Sequence, residues 1–249
     1  MANYNNSFFN SLPPVTRSVL VINAMIWVVC GLLRQTWLVD ILSLYPISSG
    51  KFLPHQLITY MFTQKEFSHF FFNMFAVFMF GRSLEYYWGS KRFLIFYMVT
   101  GIGAGLIQLL VIGLRTHFLL QNIAPDLVQM ISENGIQLLR EGKNYIGELG
   151  TLNLTMNTAT IGASGSVFGL LLAFGMLFPN IPLYLFFIPI PIKAKYMVIG
   201  YGLLELYLGF AGRAGDNVAH FAHLGGMLFG IFMILYWRKK RMDHDNLYY

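Results

Sequence analysis

The chain has 249 residues, 56% of them hydrophobic and 11% charged, with a formal net charge of +6. Soluble domains carry about 25% charged residues, so this composition excludes an ordinary soluble domain and reads as one integral membrane domain. The positive charge gathers on one side of the apolar segments, a topology signal with no nucleic-acid partner implied, and the single cysteine, Cys30, excludes an internal disulfide.

In chain order, residues 1–16 form a polar and aromatic N-terminal segment with no basic n-region and no small-residue cleavage site. The first apolar window, 18–33, ended by Arg34, therefore reads as a retained signal anchor. Windows of about 20 apolar residues are long enough to cross a hydrocarbon core about 30 Å thick. Five more such windows follow, at 67–80 (extending toward Trp88), 93–114, 161–178, 195–210 and 218–237. The expected fold is an all-α membrane protein, a six-transmembrane-helix bundle over residues 17–237 with a basic tail at 238–249. The longest connection, about 115–160, carries apolar residues at helical spacing that breaks at Gly135. A short helix on the membrane surface and a loop packed on the bundle both fit it. Asn153-Leu154-Thr155 matches a glycosylation acceptor, should that loop face the outside of a secretory membrane.

Six spans put both termini on one side. That side holds Arg17, Arg82, Lys91, Arg92, Lys193, Lys195 and the basic run 238–241, against Glu85, Asp243 and Asp245. The loops of the other side balance their charges. Lysine and arginine in short loops mark the cytoplasm, so a multi-pass protein of the cell (inner) membrane with both termini cytoplasmic is expected, its 34–66 and 115–160 loops facing outward. The 238–241 run reads as a headgroup anchor in the lipid bilayer.

Polar groups inside a membrane are costly and mark functional positions. Gly162-Ala163-Ser164-Gly165 heads the charge-free fourth window, and His223 lies in the sixth; serine with histidine suggests a nucleophile with a general base. Helical rise places both at one depth. Ser164 lies 15 residues before Pro179 and His223 15 residues before Arg238, each roughly 22 Å above the inner face. His69, 13 residues before Arg82, stands roughly 20 Å up, with Asn73 one turn below it. Gly165 and Gly169, and likewise Gly226 and Gly230, are small residues at the four-residue spacing that lets membrane helices approach closely. His220 would lie nearer the surface than His223, wet and dispensable. Glu205, an intramembrane carboxylate, flags a functional position but reads more readily as a protonated or hydrogen-bonded structural group. With no aspartate at that depth, a dyad must suffice.

These residues resemble the rhomboid family of intramembrane serine proteases. The matching motifs are Gly162-Ala163-Ser164-Gly165, His69-Phe70-Phe71-Phe72-Asn73, Ala222-His223-Leu224-Gly225-Gly226-Met227-Leu228-Phe229-Gly230, and Leu84-Glu85 through Trp88-Gly89-Ser90. The resemblance covers roughly residues 50 to 237. It implies a water-filled cavity opening outward, Ser164 as nucleophile and His223 as base. His69 and Asn73 would join the Ser164 backbone amide in an oxyanion hole, and Phe168 would pack on the His223 ring. The implied reaction is hydrolysis of peptide bonds in or near transmembrane segments of other membrane proteins, with no cofactor and no metal. The chain departs from the family at His55-Gln56, where many members carry a Trp-Arg pair. Both dyad residues are present, which disfavours an inactive relative that escorts clients. A solute transporter is disfavoured by the lack of two similar halves.

Overall fold

A computed structural model of the protein describes residues 11–33, 35–185, 188–211 and 219–245. Expectations for residues 1–10, Arg34, Val218, the side chains of Arg241, Asp243 and Asp245, and residues 246–249 lie outside the described residues.

Helical segments occupy each of the six apolar windows. Helix α1 (Pro14–Trp27) continues as a π-helical stretch to Leu32. Short helices α2 (Thr36–Leu42) and α3 (Gln56–Thr59) lie in the following connection. Helix α4 (Phe67–Ala76) runs through a π-helical stretch, Val77–Gly81, into α5 (Arg82–Trp88). Gly89, at φ +78°, breaks the chain ahead of α6 (Ser90–Leu120). Then come α7 (Pro125–Arg140), α8 (Gly147–Asn157), α9 (Ser164–Leu177), α10 (Ala194–Ala211) and α11 (His220–Asp245). Among the described residues, three helices are long and apolar enough to cross a membrane: Pro14–Leu32, Ser90–Leu120 and His220–Lys240. Helix α9 is a shorter apolar one.

Helix α9 forms the centre. It carries no charge and buries residues around its whole circumference, from Gly165 and Ser166 to Phe174 and Gly175, as expected of a helix apolar on every side. Small residues let its neighbours close in. A Cβ on Gly226 of α11 would overlap the Gly165 carbonyl, and Gly230 faces Leu172 and the Gly169 carbonyl oxygen. Gly165 and Gly169 themselves face a third helix: a Cβ there would press on Ala104 and Thr100 of α6. The two small-residue faces thus pack α9 against α6 as well as α11. Ser166 donates a hydrogen bond of 2.9 Å to the Tyr97 carbonyl of α6, adding a polar tie between the same helices.

Helix α1 is held at its start by Glu85. The carboxylate accepts from the Val15 and Thr16 backbone amides at 2.9 and 2.7 Å, from Thr16 Oγ1 at 2.7 Å and from Ser90 Oγ at 2.7 Å. A buried anion at a helix N-terminus satisfies otherwise orphaned amides and meets the positive end of the helix dipole.

Three features differ from the sequence expectations. Between α9 and α10 lies an antiparallel hairpin, β1 (Pro182–Leu185) with β2 (Ile188–Lys193), in register Pro182 to Lys193 and Leu183 to Ile192. The alternation of Ile188, Ile190 and Ile192 is the period-two signal behind it. Helix α7 runs unbroken through Gly135, because the missing side chain admits Asn153 of α8, whose Nδ2 donates to the Gly135 carbonyl at 3.3 Å. Asn153 is fully buried and also donates to Asn144 Oδ1 at 2.8 Å, so it is not an accessible glycosylation acceptor. Ile131, Leu152 and Met156 form a small separate core between α7 and α8; the connection is a packed helical pair.

Candidate active site

The approach to α9 sets the position of Ser164. Leu44 and Thr160 exchange backbone hydrogen bonds of 2.9 and 2.8 Å, and the Gly162 amide donates to the Tyr60 carbonyl at 2.9 Å. Gly162 then turns at φ +119°, a conformation that L side chains rarely adopt. Ser164 follows as the first residue of α9, half-buried. Helix N-termini leave backbone amides unpaired, so donors for a developing oxyanion lie at hand.

His223, one turn into α11, brings Nε2 to 2.8 Å from Ser164 Oγ. The ring of Phe168 stacks on it, with centroids 4.2 Å apart and planes inclined by 9°, and meets Tyr201 of α10 edge-on at 6.3 Å. His69 and Asn73 project from α4 toward the same turn. A Cβ on Gly162 would stand 2.7 Å from His69 Nε2 and 3.7 Å from Asn73 Nδ2, so that glycine is what lets the two side chains approach the helix start. Asn73 is buried, and its Nδ2 donates to Gln64 Oε1 at 2.9 Å. Gln64 Nε2 in turn donates to Asn23 Oδ1 at 2.9 Å, and Asn23 Nδ2 to the Val19 carbonyl at 2.9 Å. This amide chain ties Asn73 to α1. At the departure from the family pattern, Gln56 is buried; its Oε1 accepts from the Tyr45 and Leu53 amides, both at 3.2 Å, and Nε2 donates to the Lys51 carbonyl at 3.1 Å. That residue anchors the connection between α1 and α4.

The structure corrects the reading of His220 and shows Glu205 hydrogen-bonded. His220 is buried, 7% exposed, and its Nδ1 lies 2.6 Å from Glu205 Oε2. The same oxygen stands 2.9 Å from His223 Nδ1. That second contact lies off the ring's N–H direction, so His223 Nδ1 has no aligned hydrogen-bond partner among the described residues. A carboxylate therefore does adjoin the histidine. The clues were in the sequence, an intramembrane glutamate and two histidines three residues apart, but helical rise gives depth and not the direction in which one helix faces another.

Glu205, His220 and His223 also form a set of three buried donors within 4.8 Å of one another. Zinc with bonds of about 2.0 Å in tetrahedral geometry separates its ligands by about 3.3 Å. The spacings of 2.6 and 2.9 Å are shorter than that, and the 2.6 Å one is a hydrogen bond.

A cavity of about 310 Å³ opens beside the site, bounded by Asn73, Met79, Phe168, Leu171 and Tyr201. Chemically, a serine hydroxyl against an imidazole can lose its proton as it attacks an electrophile, with amides and polar side chains beside it to meet the negative charge.

Comparison with known proteins identifies the family of the chain. A family model of the Rhomboid domain matches residues 52–240. The chain is 26% identical over 216 residues to RHOMBOID-like protein 12, mitochondrial, of Arabidopsis thaliana, covering 85% of this chain and 55% of the relative. The chain thus spans about half the length of that relative.

Proposed function

We propose that this chain, which belongs to the rhomboid family, is an intramembrane serine endopeptidase that cleaves other membrane proteins in or near their transmembrane segments. The observation that carries the reading is the 2.8 Å contact between Ser164 Oγ and His223 Nε2. In this reading Oγ attacks the scissile carbonyl carbon while Nε2 takes the hydroxyl proton. The tetrahedral oxyanion is met by the Ser164 amide, His69 and Asn73. His223 then gives its proton to the leaving amine, and the C–N bond breaks. Water hydrolyses the acyl-enzyme by the same proton route in reverse.

Phe168 holds the imidazole plane, and Gly165, Gly169, Gly226 and Gly230 hold α6, α9 and α11 at the separation the contact needs. The apolar cavity beside Phe168 suits the side chains of an unwound substrate segment. The family, the apolar helices and the burial pattern support a site enclosed by an integral membrane protein. The charge distribution supports outward opening with both termini cytoplasmic.

Ser164→Ala tests the reading. The purified variant in detergent or liposomes is expected to fold as the parent does, to lose cleavage of a model transmembrane substrate, and to lose labelling by a fluorophosphonate. Turnover within about tenfold of the parent, a barrier change of only about 1.4 kcal/mol, would overturn the serine mechanism.

A further inference from the structure

The serine mechanism needs one tautomer of His223. Neutral imidazole carries its proton on one nitrogen only. Nε2 must present its lone pair to Ser164, so the proton must reside on Nδ1. Stacking on Phe168 fixes the plane of the ring but not which nitrogen bears the proton, because a ring face meets both tautomers equally. What selects the tautomer is the group at the Nδ1 edge, and that group is Glu205, with Oε2 at 2.9 Å.

We infer that Glu205 is a positioning residue for His223, so that the site works through Ser164, His223 and Glu205 together, with His220 holding the carboxylate in place. This rests on the serine-protease reading above. An ionised carboxylate only accepts hydrogen bonds, so its oxygen beside Nδ1 favours the tautomer in which that nitrogen carries hydrogen. When the serine proton arrives on Nε2, the ring becomes a cation beside the same oxygen. Glu205, His220 and His223 are each 7% exposed. In so buried a place the attraction between imidazolium and carboxylate is screened far less than in water. His220 supplies the counter-hold. Its Nδ1, 2.6 Å from Oε2 on the preceding turn of α11, keeps the carboxylate between the two rings. Because the 2.9 Å contact lies off the N–H direction, Glu205 must rotate to bring Oε2 into line with the His223 N–H, and holding by His220 limits that rotation. Glu205 thereby brings α10 into catalysis without itself touching substrate.

Three variants separate a positioning role from a purely structural one. Glu205→Gln keeps the shape and removes the charge; Glu205→Asp keeps the charge and shortens the reach; Ser164→Ala reports on the serine mechanism itself. Folding is checked by thermal unfolding, and kcat and KM are measured on a model transmembrane substrate alongside the rate of fluorophosphonate labelling. Glu205→Gln is expected to lower kcat by about 10²–10⁴-fold, as expected when an orienting carboxylate becomes an amide. KM should stay unchanged and labelling should slow in parallel. Glu205→Asp is expected to retain more activity than the isosteric Glu205→Gln; a packing role demands the opposite order. If Glu205→Gln does not accumulate as folded protein, Glu205→Asp is compared with Glu205→Ala, and equal activity in those two overturns the inference. A folded Glu205→Gln with kcat within about threefold of the parent, beside an inactive Ser164→Ala, overturns the role of Glu205 and leaves the serine mechanism standing. An active Ser164→Ala overturns that mechanism.

Discussion

A serine hydroxyl and an imidazole meet at 2.8 Å because two neighbouring helices, and the turn that leads into one of them, lack side chains where they meet their neighbours. Gly226 admits the Gly165 carbonyl, Gly165 admits Ala104, and Gly162 admits His69. The polar groups opposite are held just as firmly. Asn73 is buried and spends one amide hydrogen on Gln64, 2.9 Å away; in the proposed mechanism the other meets the oxyanion. Asn73→Ala is therefore expected to lower kcat by about 10²–10³-fold, the usual cost of one oxyanion donor, with KM little changed; kinetics on a transmembrane substrate check it, and a loss confined to KM would assign Asn73 to substrate docking. Much of this grouping was legible beforehand, because counting residues to a helix end gives depth. Ser164, His223, His69 and Asn73 fall in one slab by that count, and the structure brings them to one helix start. The count is silent on azimuth. It treated His220 as a surface residue, whereas the turn of α11 carries it inward against Glu205. It also missed Gln64, since an amide in a polar connection carries no periodic signal.

The elements themselves were legible wherever apolar length or period was strong, and less so where a distant residue decides the outcome. Helix α6 extends to 31 residues, roughly 46 Å at helical rise, well past the window its apolar stretch marks, and its C-terminal end carries the α7–α8 pair. Gly135 looked like a helix break because glycine in a helix interior costs about 1 kcal/mol relative to alanine. Here the close seat of Asn153 compensates, and only the packed structure shows it. The start of α1 is the clearest case. Its N-cap, Pro13, offers no side-chain hydrogen bond, and the amides of Val15 and Thr16 are satisfied by Glu85, 69 or more residues away. A motif residue in the stretch after the second apolar window thus turns out to cap the first helix. Glu85→Ala leaves buried amides and a buried hydroxyl without partners, each costing about 1–3 kcal/mol. It is expected to destabilise the protein by about 3 kcal/mol or more in total, seen as a lowered Tm in detergent, while Glu85→Gln, which keeps an acceptor oxygen, loses less. A Tm equal to the parent's in Glu85→Ala would mean that water reaches the start of α1.

At the scale of the whole molecule, the question is which way the site opens. Ser164 heads α9, and the chain reaches it from α8 within a few residues, so the α7–α8 pair and the mouth of the site lie on one side of the bundle. The turn between α7 and α8 carries Lys143, whose side chain is 68% exposed and whose Nζ pairs with Glu141 Oε2 at 3.1 Å. So exposed a pair adds little stability, which makes Lys143 a safe site for a probe. The opposite side carries the basic excess: Arg82, Lys91 and Arg92 around the start of α6, Lys193 and Lys195 around the start of α10, and Arg238 with its neighbours along the end of α11. Short loops rich in lysine and arginine stay in the cytoplasm, so the proposed orientation has α7, α8 and the mouth facing outward. Lys143→Cys, made with Cys30→Ala to remove the buried native thiol, is expected to react with a membrane-impermeant maleimide in intact cells. Reaction only after lysis would invert the orientation, and with it the side from which substrate and water reach Ser164. Because Lys143 and Ser164 share that side in the fold, the labelling result carries over to the site without a second probe.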